Sequence, residues 1–153
     1  MTKKVRISAK AIIRKNGKIL LMKARDAGGV FYLLPGGGQK NGESLETTLK
    51  RECLEETGAE VLPGKLRFVR DYIAVNHEFA KENPSAHQVE LMFNCRFLGI
   101  RKDVRLVPDN MQTGCEWVPL GNLLKIRIYP SVLKKVITVQ GRLKGPVYLG
   151  DVN

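Results

Sequence analysis

The sequence predicts an α/β fold, helices layered against a sheet, and three observations carry that reading. Residues Ile19 to Met22 form a continuously apolar run, as expected for a strand covered on both faces. The stretch "HQVELMFNCRFL", starting at His87, alternates, with Val89, Leu91, Phe93, Cys95 and Phe97 on one side. Between them, residues 44 to 57 read as a helix, since Ser44 can cap its start and Gly58 can sit just past its end.

The chain opens with "VRISAKAIIRK", in which Val5, Ile7, Ala9 and Ala11 share a face, and "NGK" at 16 to 18 is a hairpin signal leading into "KILLMKAR". After a loop around Gly28 and Gly29 comes "FYLL". Then "PGGG" at 35 to 38 is expected to end regular structure and to permit positive φ. Beyond the helix, "KLRFVRDYIAV" reads as a strand, followed by the polar connection "NHEFAKENPSAH" and then the alternating strand. On that strand Glu90, Met92, Asn94 and Arg96 are expected to face away from the more apolar side. A loop over 99 to 114 leads to "CEWVPL", a short helix over Pro119 to Leu124, and a second helix in "PSVLKKVITVQ" with Pro130 in its first turn. The tail "GPVYLGDVN" is read as a short edge strand or a surface segment.

With 153 residues, 1 to 153 is expected to be a single domain. No stretch approaches the ~20 apolar residues of a membrane span, and Thr2, Lys3 and Lys4 followed by alternation do not resemble a secretory signal, so the expected compartment is the cytoplasm. Cys53, Cys95 and Cys115 are widely spaced without a CxxC pair, which suits reduced, mostly buried thiols. The net charge of +11 is uneven: residues 1 to 25 and 121 to 150 carry Lys and Arg but no acid. Such ends attract polyanions, whether nucleic acid, an acidic membrane surface or a small phosphorylated ligand, or they simply keep the surface solvated.

Against that charge, "GGQKNGESLETTLKRECLEETGA" concentrates glutamates. On a helix Glu52, Glu55 and Glu56 are related by i, i+3 and i+4 and fall in a sector of roughly 100°. Like charges so placed repel, and Arg51 supplies one positive group against three. A divalent cation with oxygen ligands, Mg²⁺ or Mn²⁺, would relieve the imbalance; a solvated acidic face is the alternative. Leu45, Leu49 and Cys53 form an apolar row overlapping the acidic sector, so the carboxylates border the core.

Residues 37 to 59 resemble the Nudix box, G-x5-E-x7-R-E-U-x-E-E-x-G-U with U apolar. Gly37, Glu43, Arg51, Glu52, Cys53, Glu55, Glu56, Gly58 and Ala59 occupy every specified place. Pro35 with its glycines, and Glu116, Trp117 and Val118 ahead of a short helix, also look like that superfamily. The resemblance implies a mixed sheet in an α/β/α sandwich and hydrolysis of a nucleoside diphosphate linked to another moiety. It implies that Glu52, Glu55 and Glu56 hold metal, that the Gly37 carbonyl adds a ligand, and that Arg51 and Glu43 orient the carboxylates. Glu55 is then the proton acceptor, unless Glu90, Asp109 or Glu116 serves. Lys23, Arg25 and Lys40 are the expected phosphate contacts; His77 and His87, flanking the polar connection, either contact phosphate or are only solvated. Tyr32, Phe31 or Trp117 would stack on a base. A nucleoside triphosphate pyrophosphohydrolase is the leading expectation. A nucleotide-sugar, dinucleotide or 5′-triphosphate RNA hydrolase, or a non-hydrolysing nucleotide sensor, are the alternatives, and the oligomeric state stays open.

Overall fold

The computed structural model describes residues 3–109 and 111–153; Met1, Thr2 and Asn110, the last within the expected 99–114 loop, lie outside them. Strands β1 (Arg6–Lys15) and β2 (Lys18–Asp26) form the expected hairpin. Asn16 and Gly17 turn it with φ of 51° and 73°, the paired positive values that match the twist of two antiparallel strands. Strand β3 (Gly29–Leu33) returns along β2.

The glycine run does not end regular structure. Gly36–Gly38 makes a short strand, β4, antiparallel to β1 with Gly37 opposite Ala9. The backbones approach too closely for a side chain there: at Gly36, φ 137°, a Cβ would stand 2.1 Å from the Ala9 carbonyl oxygen. Glycine is therefore what joins this segment to the sheet.

Helix α1 (Leu45–Thr57) has both expected caps. The Ser44 hydroxyl accepts from the Thr47 N–H at 3.1 Å, and Gly58, at φ 74°, donates to the Leu54 carbonyl at 2.9 Å. Strand β5 (Ala59–Ile73) follows at once and pairs antiparallel with β6 (His87–Ile100), which lies parallel to β1. Strand β7 (Gln112–Pro119) pairs with β2, a 3₁₀ turn covers Leu120–Lys125, and β8 (Ile128–Tyr129) lies parallel to β3. After α2 (Leu133–Val136), β9 (Tyr148–Asp151) adds a parallel edge to β5. The mixed sheet runs β8-β3-β2-β1-β6-β5-β9, with β4 on β1 and β7 on β2.

The second expected helix is short. Val136, Ile137, Thr138 and Val139 are all β-branched and stiff at χ1, and Ile137 instead bridges to Leu143 while the Thr138 hydroxyl accepts from the Arg142 N–H. Two cores lie on the two faces of the sheet. Leu49 and Cys53 of α1 pack on Ala9, Ala11, Ile13 and Leu20. Ile12, Leu21, Phe68 and Met92 pack beneath Leu123, Leu133 and Val136. The result is the expected α/β/α layering, with one full helix and a thin second layer.

Strand β6 does not bury one side only. Glu90 and Met92 of its more polar side are buried, as is Cys95 of the more apolar side, while Val89 and Leu91 are half-buried and Arg96 is exposed; the buried Glu90 meets a cation described below. Cys53 and Cys95 are buried free thiols; Cys115 is exposed, on the outer strand β7. Among the described residues no helix is long and apolar enough to cross a membrane.

Leu49 is wholly buried and fixes α1 to the sheet. Leu49→Ala is expected to cost about 2–5 kcal/mol, read as a lower midpoint in urea unfolding with an unchanged slope.

Candidate active site

The α1 carboxylates are organised by one guanidinium. Arg51 donates from Nε to Glu43 Oε1 at 2.5 Å and from Nη2 to Glu43 Oε2 at 3.0 Å, a two-pronged pairing. Its Nη1 reaches Glu52 at 2.8 Å and Glu55 at 3.3 Å, and Nη2 also donates to the Gly38 carbonyl at 3.1 Å. Glu43 further accepts from the Lys40 N–H and the Thr48 hydroxyl. The Arg51 guanidinium, helped by these donors, holds the Glu43 carboxyl down at about 2. Arg51 is in turn held firmly protonated, chiefly by Glu43.

Glu56 points the other way, into the protein. It is 2% exposed and accepts from the Gly36 N–H at 3.1 Å and the Gln112 side chain at 3.1 Å. Burial pushes its carboxyl up to about 7, although the nearby Lys10 ammonium and the Gly36 N–H act in the opposite direction. Lys10 donates to the Gly36 carbonyl at 3.2 Å. Glu52 lies against Gly37, where a Cβ would come within 2.6 Å of its carboxyl carbon, so only glycine leaves room for it.

Among the described residues no three acidic, histidine or cysteine side chains converge tightly enough to enclose an ion: Arg51 draws Glu52 and Glu55 to itself while Glu56 turns inward. The donor chemistry still fits a hard divalent cation, because every donor is oxygen and the buried Glu56 carboxyl has only neutral hydrogen-bond donors.

A cavity of about 580 Å³ opens beside this cluster, sharing Gly36 and Gly37 with it. Its walls place the other expected site residues. Of the phosphate contacts, Lys23 lies in β2 across from Tyr32, Arg25 is exposed, and Lys40 gives Glu43 its backbone N–H; none lines the cavity. Strand alternation is the reason for β2, where Ala24 takes the lining place between Lys23 and Arg25. The cavity's cations are instead Lys3, Lys4, Arg6, Lys10 and Arg70.

Among the carboxylates outside the box, Glu90 and Asp109 line the cavity and Glu116 does not. Glu116 accepts from the Tyr32 hydroxyl at 2.6 Å, which raises that phenol to about 12. Glu90 is buried against Arg70, whose Nε donates to it at 2.6 Å. His87 lines the cavity and pairs with Asp71, whereas His77 pairs with Asp151 and stacks on Tyr72. Phe31 reaches the cavity and packs edge-on to Tyr129, with Phe79 beside both, while Trp117 packs on Phe97 in the α1-side core.

Sequence reasoning passed over Lys10, Arg70 and Gln112. Only Lys10 carried a local signal, as the lone charge in "SAKAII"; Arg70 stands out only once the β5–β6 register sets it opposite Glu90.

The family described as NUDIX domain matches residues 3–138. The chain belongs to the Nudix family. It is similar to the nucleoside triphosphatase NudI of Enterobacter sp. (strain 638), 36% identical over 98 residues that cover 61% of this chain and 68% of that protein. A NudI of Salmonella agona aligns at 33% identity over 55% of this chain and 63% of its own length, so the chain spans about two thirds of these curated relatives. A Nudix hydrolase from Nitrosomonas europaea shares the fold at TM-score 0.68, with 21% identity over 86% of this chain and 85% of that one. A MutT Nudix hydrolase from Burkholderia pseudomallei superimposes at TM-score 0.59 with 27% identity, covering 78% of this chain and 86% of that one. As a Nudix hydrolase, the chain belongs to a family that generally uses divalent cations and acts on nucleotide-like substrates.

The Arg70–Glu90 pair gives a stability prediction on both mutation and pH. Arg70→Met leaves Glu90 buried without its partner and is expected to cost about 3–5 kcal/mol. Burial alone would raise the Glu90 carboxyl, but Arg70 and Lys10 outweigh it and hold it below its usual range. The pair's contribution is therefore full above the unfolded glutamate value near ~4.3 and is lost as pH falls through the lower folded value. Denaturation curves of wild type and Arg70→Met are expected to differ at neutral pH and to draw together in that acidic window.

Proposed function

We propose that the chain hydrolyses the diphosphate linkage of a nucleoside triphosphate, releasing nucleoside monophosphate and pyrophosphate, with residues 1 to 153 acting as one catalytic domain. The observation that supports this most is the shared wall: Gly36 and Gly37 belong both to the carboxylate cluster of α1 and to the cavity. Polyphosphate lying along the cavity floor would meet the acidic helix at its edge. The NudI relatives, named as nucleoside triphosphatases, favour this substrate class over a nucleotide sugar or dinucleotide.

In this reading Glu52, Glu55, Glu56 and the Gly37 carbonyl would hold Mg²⁺, or Mn²⁺ in its place. That ion would supply charge neutralisation on the polyphosphate and a more acidic water. The protein's own groups do the rest. Arg51, clamped on Glu43, keeps Glu52 and Glu55 from swinging apart. Glu55 has the longest contact with Arg51 and the most exposed side chain of the set, 38%, so its carboxylate is the proton acceptor for the attacking water at Oε. Lys10 and Arg6 take the role first expected of Lys23, Arg25 and Lys40, since they line the cavity and can bind phosphate oxygens there. Phe31, Tyr129 and Phe79 offer an aromatic wall for the base. Three free thiols suit a reducing cytoplasm.

A second substrate, the triphosphorylated 5′ end of RNA, draws support from Lys3, Lys4 and Arg6 on the cavity wall, which could track a phosphate backbone. Hydrolysis that prefers such RNA and falls steeply with salt would favour it over free nucleotide.

Purified protein with Mg²⁺ is expected to convert at least one nucleoside triphosphate into monophosphate and pyrophosphate. Glu56→Gln is expected to lower kcat at least 100-fold with the fold retained by circular dichroism. Undiminished metal-dependent turnover by that variant would overturn the site assignment.

A further inference from the structure

The basic character of the two chain ends is only partly used by the cavity. Much of it collects elsewhere, around a separate pocket of about 370 Å³ formed by the β1–β2 turn, the middle of β6 and residues 140–141. This pocket includes Arg14, at the far end of β1 from Lys10, about 13 Å away at ~3.3 Å per strand residue. Arg14, Lys15 and Arg96 line it together with Asn94 and Gln140, and no carboxylate does. It continues through Leu120 and Gln140 into a neighbouring depression lined by Lys134, Lys135 and Lys144, again without an acidic residue. Among the described residues none of these six cations is in an ion pair.

The pocket's central cation is under strain of charge. Arg14 is partly buried, and both that burial and the neighbouring Arg67 guanidinium disfavour its protonated form. Its one side-chain partner is neutral: Nη2 donates to the Asn94 oxygen at 2.6 Å. Arg67 is not among the residues that line the pocket; it donates from Nη2 to the Leu143 carbonyl and adds a like charge nearby. Arg14 is therefore a partly buried cation with only a neutral side-chain partner, in a wall without carboxylates. A chain could satisfy Arg14 with one aspartate here and does not.

We propose that this pocket is a second, non-catalytic anion site that binds a phosphate group on the side of the sheet end opposite the α1 carboxylates. Its ligand is a phosphate-bearing molecule small enough to enter the pocket, with Arg14 as the central contact, Asn94 holding that guanidinium in place, and Lys15 and Arg96 at the rim. Lys134, Lys135 and Lys144 extend the positive surface for a ligand with more than one phosphate. Unlike the proposed reaction, this binding needs no divalent cation, because the protein itself supplies the positive charge.

Calorimetric titration with pyrophosphate in the presence of EDTA tests the site separately from catalysis. Wild type is expected to bind, Arg14→Gln to bind at least tenfold more weakly, and Glu52→Gln to bind like wild type. Arg14→Gln should keep its wild-type turnover. A parallel titration with an oligouridylate lacking a 5′ phosphate identifies the source of the phosphate: tighter binding that weakens steeply with salt means a nucleic-acid backbone, and weaker binding means a free phosphate compound. Thermal unfolding of Arg14→Gln guards against misfolding, and the more peripheral Arg96→Gln, expected to weaken binding several-fold, repeats the test. Absence of metal-free pyrophosphate binding in wild type, or equal binding by wild type and both variants, would overturn the site while leaving the catalytic reading untouched.

Discussion

The Arg51 guanidinium is the contact on which the acidic helix depends. Glu52, Glu55 and Glu56 crowd one sector of α1, and without a cation among them their repulsion would work against the helix that carries them. Arg51 reaches Glu43, Glu52, Glu55 and the Gly38 carbonyl, so one side chain ties the start of α1, its acidic face and the glycine strand into a unit. Glu43 is more than a charge at the front of the helix. It fills both prongs of the guanidinium and also takes the Lys40 N–H and the Thr48 hydroxyl, which fixes the loop between β4 and α1.

Beside that unit, buried groups of opposite charge lie close together. Lys10 lies near both Glu56 and Glu90, lowering the cost of each carboxylate in a buried place, and Arg70 completes the compensation for Glu90. Glu56 has no such full partner: its two acceptor contacts are to neutral N–H groups. Glu90 is thus satisfied by the fold, whereas Glu56 is the carboxylate on which the proposed metal site would draw.

Much of this was legible in the sequence because it follows from local rules. The helix boundaries came from Ser44 and Gly58, the hairpin from Asn16-Gly17, and the box from fixed spacings, all within reach of a few residues. What escaped depends on contacts between distant segments. Periodicity placed Glu90 away from the more apolar side of its strand, since nothing local reveals that Arg70 stands across the sheet. The glycines of β4 read as a break, whereas they lie where β1 comes close enough to demand them. Lys23 and Arg25 were near the box in sequence order, yet β2 leaves β1 for β3 and β7 beyond the hairpin, taking those side chains away from the cavity.

The most direct measurement of whether α1 is a metal platform is paramagnetic broadening of backbone amide resonances by substoichiometric Mn²⁺. Early loss of the Gly36, Gly37, Glu52, Glu55 and Glu56 signals, with Arg14 and Asn94 unaffected, is the expected result. Broadening centred elsewhere, or none at Gly37 and Glu56, would contradict a metal held by these carboxylates.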